Sequence, residues 1–196
     1  MLGACASGGA RSGAAPEPET PGEALGPGAR LVYSGSGREQ PAWTIESVEH
    51  DFSLGGRDGC ARIALRTRPD AGSREVRTLC RGGDTLFSWE STTRQWRALR
   101  PVGPGMTLDV PGTGGATLRF TTGERGVARL GGQSFPFVHT TVLTTDAQGR
   151  ATHRLTERYS VALGTALGGV FEVPDSARSG AWRETQRFEL VRVELP

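Results

Sequence analysis

Residues 134–173, SFPFVHTTVLTTDAQGRATHRLTERYSVALGTALGGVFEV, decide the fold class. Phe135–Thr145 is almost entirely β-branched or aromatic, broken only by Pro136, His139 and Leu143. Such residues suit a pleated, half-buried strand. Asp146-Ala147-Gln148-Gly149 supplies turn chemistry, with Gly149 free to take a positive φ. Across Arg150–Tyr159, Thr152, Arg154, Thr156 and Arg158 alternate with Ala151, His153, Leu155, Glu157 and Tyr159. That period of two marks one wet face and one drier face. The stretch therefore reads as strand, turn, strand, Gly-rich connection, strand.

Working outward, the same grammar recurs. Leu31–Ser34 reads as a first strand and Trp43–Leu54 as a second, followed by a turn at Gly55–Gly59. Cys60–Arg68 and Arg74–Arg81 form the most informative pair. Pro69-Asp70-Ala71-Gly72 is a hairpin connection in which Pro presets φ and Gly72 accepts a left-handed conformation. If residue 68 faces residue 72, Cys60 stands directly opposite Cys80. Cross-strand neighbours approach disulfide distance, so a Cys60–Cys80 bridge is expected in an oxidising compartment. Further strands are read at Asp84–Glu90, Trp96–Pro101, Met106–Val110, Ala116–Thr122, Val127–Leu130, Val170–Val173 and Trp182–Leu195. No convincing helix is found; Ser160–Leu167 comes nearest but contains Gly164. About ten to twelve short strands with turns between them predict an all-β fold. An antiparallel curved sheet, an open half-barrel and a sandwich all fit that pattern.

The N-terminal residues read differently. Leu2-Gly3-Ala4-Cys5 resembles the lipobox of bacterial lipoproteins. Residues 1–5 are read as the residual end of a lipoprotein signal, with Cys5 as the lipidated residue. Small side chains at Gly3 and Ala4 fit a peptidase that takes a narrow extended substrate. Residues 6–29 are mostly Gly, Ala, Pro, Ser and Glu without periodicity, and are read as a disordered linker. Residues 30–196 are read as a single all-β domain. Setting Cys5 aside for acylation leaves an even pair of cysteines, as a disulfide-forming compartment would require.

Composition removes several chemistries. The net charge is +2, so no strong field favours nucleic acid, and no nucleic-acid partner is expected. All 23 basic residues are Arg. Without Lys there is no P-loop lysine, Schiff-base lysine or Ser-Lys dyad. No apolar run approaches the roughly 20 residues of a membrane helix.

Candidate sites are few. His139 and His153 lie on paired strands, but the loop 146–149 puts the two rings on opposite faces, so no shared metal is expected. Gly35-Ser36-Gly37 lacks the spacing of a nucleophile elbow. Gly112-Thr113-Gly114-Gly115 has no following helix to cradle phosphate and reads as a turn. Glu49 and Asp51 share a strand face without sign of a cleft. Arg62, Arg66, Arg68, Arg74 and Arg77 make a basic hairpin, read as a charged sheet edge that resists pairing or as a contact for acidic polymers or lipid headgroups. Trp43, Trp89, Trp96 and Trp182 are core anchors or line a concave ligand-binding face. His153, Glu157 and Tyr159 share one strand face and are the residues an enzyme reading would need. No catalytic residues, metal or cofactor are assigned.

The C-terminal pattern carries a resemblance. Gly131-Gly132-Gln133-Ser134-Phe135, Thr156–Gly164 and the closing Phe188-Glu189-Leu190-Val191 are similar to segments of uncharacterised bacterial envelope lipoproteins. Gly28–Tyr33 fits their opening strand, with Leu31 in place of an aromatic. Those proteins look like relatives of the LolA/LolB half-barrel lipoproteins. The resemblance implies an antiparallel sheet and an envelope location, and transfers no catalytic residues. The expected function is a lipid-anchored, non-enzymatic binding or assembly module, anchored in the outer membrane and facing the periplasm. Its expected partners are the membrane, through the lipid on Cys5, and a lipid or envelope protein. The alternatives are a periplasmic carrier with an apolar ligand in an open half-barrel and, from a third class, a hydrolase-like enzyme.

Overall fold

The computed structural model describes residues 20–35, 38–66 and 74–195. Cys5, Ser36, Arg68 and the Pro69–Gly72 connection lie outside them. The described residues form twelve strands: β1 (Arg30–Gly35), β2 (Arg38–Leu54), β3 (Arg57–Arg66), β4 (Arg74–Gly82), β5 (Thr85–Glu90), β6 (Gln95–Pro101), β7 (Thr107–Pro111), β8 (Thr117–Leu130), β9 (Gln133–Thr145), β10 (Ala151–Ser160), β11 (Thr165–Pro174) and β12 (Trp182–Glu194). All belong to one antiparallel sheet in the order β6-β5-β4-β3-β2-β1-β12-β11-β10-β9-β8-β7.

The chain enters at the middle of this sheet. It meanders outward to β6, crosses to β7 and meanders back until β12 pairs with β1. Every strand thus neighbours its sequence neighbours, apart from the crossing at β6 and β7. Those two edges curl toward each other. The crossing between them is held at both ends, where the Val102 amide donates to Asp84 O (2.8 Å), the Gly105 amide to Thr122 O (3.1 Å) and the Thr122 amide to Met106 O (2.9 Å), and Arg100 of β6 reaches the Phe120 ring of β8 (5.4 Å). The result is a nearly closed barrel rather than a sandwich.

Alternation sets the two faces. On β10, Glu157 and Tyr159 are buried, whereas Arg154 pairs with Glu172 at 2.7 Å on the outer wall. The outer wall repeats this device with Arg119–Asp109 (2.8 Å), Arg62–Glu49 (2.6 Å) and Arg66–Glu46 (2.7 Å). Exposed pairs of this kind contribute little each. They do keep the charged positions of neighbouring strands on the same side, because a one-residue slip would carry all of them inward.

The β3–β4 pair has the expected register throughout, from Cys60↔Cys80 to Arg66↔Arg74, and Cys60 and Cys80 form a disulfide. The bridge is fully buried although it lies on the outer face. Phe52 stands opposite Cys60 and Phe87 opposite Cys80. Arg62 covers Phe52 at 4.7 Å and Arg57 covers Phe87 at 3.5 Å. This hairpin lies between β2 and β5 and is not the sheet edge that its charges suggest. The charges are instead matched across strands, since Arg62, Arg66 and Arg74 meet Glu49 and Glu46 of β2.

Three other expectations change. Ala116–Thr122 and Val127–Leu130 are one strand, β8, carried through an irregularity between Thr122 and Arg125. The last Gly-rich connection is shorter than expected, because β11 already begins at Thr165. Most importantly, residues 20–29, expected to be linker, are packed against the barrel. Thr20-Pro21-Gly22-Glu23 makes a turn with Pro at its second position and Gly22 at φ +71°, the dihedral that a type II turn needs at its third. The Gly22 amide donates to Val161 O (2.8 Å), the Ala24 amide to Ala162 O (3.0 Å) and the Gly28 amide to Ile45 O (2.8 Å). Pro21, Leu25 and Ala29 are buried. A Cβ on Gly22 would stand 2.6 Å from Ile63 Cδ1, so this backbone sits directly on the interior side chains. Residues 20–29 and the 161–164 turn thereby plug one end of the barrel.

The disulfide closes a loop with a sequence separation of 20. Removing it with Cys60→Ser and Cys80→Ser together is expected to lower stability by about 3 kcal/mol, from the loop entropy returned to the unfolded chain. Urea unfolding of this variant and of the wild type with and without reductant measures the difference.

Candidate functional site

Twelve strands enclose more space than their inward side chains and the plug fill. What remains is a cavity of about 720 Å³. Ligand pockets commonly span about 300–1,000 Å³. Its floor is Gly164, Thr165 and Ala166, next to the plug. Toward the other end stand Leu99 and Phe171, each 36% exposed, and Glu75.

The wall has an aromatic side and a charged side. Tyr33 of β1 packs with Trp43 of β2 (5.8 Å between ring centroids) and with Phe188 of β12 (6.2 Å), which meets Phe171 of β11 (5.8 Å). The Tyr33 hydroxyl donates to Ala166 O at 2.9 Å and lies 3.0 Å from Thr165 Oγ1. On β4, Arg77 spreads over Trp43 at 4.3 Å and donates from Nε to Glu75 Oε1 at 2.6 Å.

The charged feature deepest in the wall joins β6 to β10. Arg100 Nη2 donates to Glu157 Oε1 at 2.5 Å. Arg100 is 9% exposed and Glu157 5%. The guanidinium lies 3.8 Å from the Tyr159 ring centroid and 5.4 Å from that of Phe120. Cation–π contact and the carboxylate together replace part of the hydration this ion gave up. Arg100 Nη1 is buried and has no hydrogen-bond partner among the described residues. Thr140 Oγ1, on the residue opposite Glu157 in the β9–β10 pairing, is likewise buried without a partner.

Burial raises both phenols. Tyr33 is pushed up to about 12, against a weaker lowering by its hydrogen bond to Thr165. Tyr159 is also raised by burial, with the Arg100 and Arg77 charges opposing.

The structure sorts the expected residues. Trp43 is in the cavity wall, whereas Trp89, Trp96 and Trp182 are not. Trp89 and Trp96 meet edge to face at 5.1 Å, and Trp96 Nε1 donates to Leu54 O at 2.9 Å. Trp182 lies 4.7 Å beneath Arg154. None of the four is fully buried. Glu157 and Tyr159 reach the cavity, but His153 is exposed beside Thr152, so the three residues of the enzyme reading do not converge. His139 and His153 face Arg158 and Thr144 respectively, two positions from the expected register. A shift of two preserves parity, and the rings stay on opposite faces. Among the described residues no group of three or more His, Cys, Asp or Glu is placed to hold a metal ion. No helix among them is long and apolar enough to cross a membrane.

Arg77 and Arg100 were not legible as cavity residues. Arg77 reads as part of a basic hairpin and Arg100 as one more strand arginine. Arg100 and Glu157 are 57 residues apart, and only barrel closure joins them. The one local signal was period-two alternation, which puts Glu157 in line with Leu155 and Tyr159 on the drier face. No protein-family model matches the chain, and searches of curated proteins and of solved structures return no match.

Two outcomes follow from this geometry. Arg100→Ala leaves Glu157 buried and unpaired, and is expected to cost about 3–5 kcal/mol, whereas Arg100→Met with Glu157→Leu is expected to be close to neutral. Chemical denaturation of the three proteins separates these. Tyr33 and Tyr159 are the only two tyrosines. With folded pKa values above the ordinary 10.0, their contribution to stability is fully present below about pH 10 and is lost as pH rises through the folded values, about 12 for Tyr33. Tyrosinate absorbance is therefore expected to stay flat through pH 10.0 in the folded protein and to appear there in urea.

Proposed function

We propose that this chain is a non-enzymatic envelope protein that holds an apolar ligand inside its barrel, tethered to the membrane through an acyl group on Cys5. The observation that carries the ligand reading is the cavity of about 720 Å³ walled by Tyr33, Trp43, Phe171 and Phe188. Burying apolar surface there contributes about 25 cal/mol per Å². The plug closes one end, so the ligand enters from the other. The tether is supported by the Leu2–Cys5 segment and by the disulfide, which suits an oxidising compartment. The resemblance to LolA/LolB half-barrels points the same way. A carrier is favoured over an assembly module because the cavity lies inside the barrel, where a folded protein partner does not reach.

Phenylnaphthylamine, a neutral fluorophore that brightens in apolar surroundings, tests the site. It is expected to bind with a single saturable phase and to quench Trp43. Trp43→Ala is expected to weaken binding by about tenfold, a loss of roughly 1.4 kcal/mol. Trp182→Ala, on the outer wall, is expected to leave it unchanged. Equal loss in both variants, or no saturable binding, would overturn the ligand reading. Intact mass of protein from washed membranes tests the anchor separately, through an acyl increment on Cys5.

A further inference from the structure

We propose that the cavity selects a neutral amphiphile whose polar head places an oxygen acceptor against Arg100, beside Glu157. The proposal rests on the cavity being a ligand site and specifies what the ligand must carry.

Three observations support it. First, among the described residues the ionic side chains lining the cavity are those of Arg77 and Arg100 and of Glu75 and Glu157. Their formal charges cancel, so these residues offer an ionic head no net charge. A carboxylate brought to Arg100 would also meet Glu157, whose Oε1 is already 2.5 Å from the same guanidinium. An ammonium would meet Arg100 and Arg77. Second, the polar groups of the Arg100 region are under-used. Among the described residues Arg100 Nη1 is a buried donor without a partner, and Thr140 Oγ1, opposite Glu157 in the pairing, is a buried hydroxyl without one. An unmade hydrogen bond at a buried charged group is costly, and a ligand oxygen recovers it. Arg100 itself lines the cavity, and the rings of Tyr159 and Phe120 flank its guanidinium. Third, the opposite wall is aromatic and apolar, as an alkyl tail requires.

A hydroxyl satisfies the site better than an ether. Its oxygen accepts from Arg100, and its proton goes to the Glu157 carboxylate. A hydrocarbon leaves Nη1 unsatisfied. In a wall without this donor the order reverses, because burying an unpartnered hydroxyl is itself unfavourable. The sign of the preference thus reports on Arg100.

The test is displacement of phenylnaphthylamine by octanol, octane and octanoate at neutral pH. It uses the full chain and the variant Arg100→Met with Glu157→Leu. In the wild type, octanol is expected to compete at about tenfold lower concentration than octane, the ratio that one charge-assisted hydrogen bond supports, with octanoate weaker than octanol. In the double variant the octanol-to-octane ratio is expected to fall to one or reverse. The ratio is the readout, so a change in cavity volume cancels. If the variant does not fold, the sign of the wild-type preference still decides. Octane equal to or better than octanol would overturn the proposal and leave the cavity reading standing. Octanoate as the best competitor would overturn the neutrality of the head. Failure of the fluorophore itself to bind would remove the cavity reading, and this proposal with it.

Discussion

Pairing of the first strand with the last is the constraint on which the rest depends. β1 meets β12 from Arg30↔Glu194 to Gly35↔Phe188 and meets β2 on its other side. Without that pairing the chain is two six-stranded meanders, each with an unprotected edge. With it, the right-handed twist of the strands carries β6 and β7 round until they face one another. Barrel diameter grows with strand number, and about eight strands already leave only enough interior for side chains. Twelve leave a lumen. The plug and the cavity are two answers to the same surplus of space: residues 20–29 fill one end, and the aromatic wall borders what is left.

The lumen is not uniformly apolar, and its polar groups have a common logic. A barrel interior built from alternating strands receives whatever lies at the inward parity, including Glu75, Arg77, Arg100 and Glu157. Each of these ions is matched by an opposite charge across a short gap, and each arginine also covers an aromatic ring. A buried ion pair is weak evidence for stability, since desolvation offsets much of its attraction. Its retention beside a cavity, with one guanidinium nitrogen unpartnered among the described residues, is easier to relate to a ligand than to folding.

Much of this was readable from residues alone. Alternation in Arg150–Tyr159, turn chemistry at 146–149 and the facing cysteines at 60 and 80 each depend on spacing within one hairpin, where the chain's own geometry decides the outcome. Residues alone mislead most where contacts are distant. Thr20-Pro21-Gly22-Glu23 carries a plain turn signal, yet composition made it look like tether, because its partners at Ile45, Ile63 and Val161 are remote in sequence. The basic β3–β4 hairpin looked like an edge because its matching carboxylates belong to another strand. Residue type groups the four Trp together, whereas parity and barrel closure send Trp43 inward and Trp89, Trp96 and Trp182 elsewhere.

By itself, then, the sequence determined the strands, their antiparallel hairpins and the Cys60–Cys80 register, because these follow from period, turn residues and short-range pairing. Only the tertiary structure decided that the sheet closes, that residues 20–29 plug it, and that Arg100 meets Glu157. Those depend on curvature summed over twelve strands, and no local pattern encodes that sum.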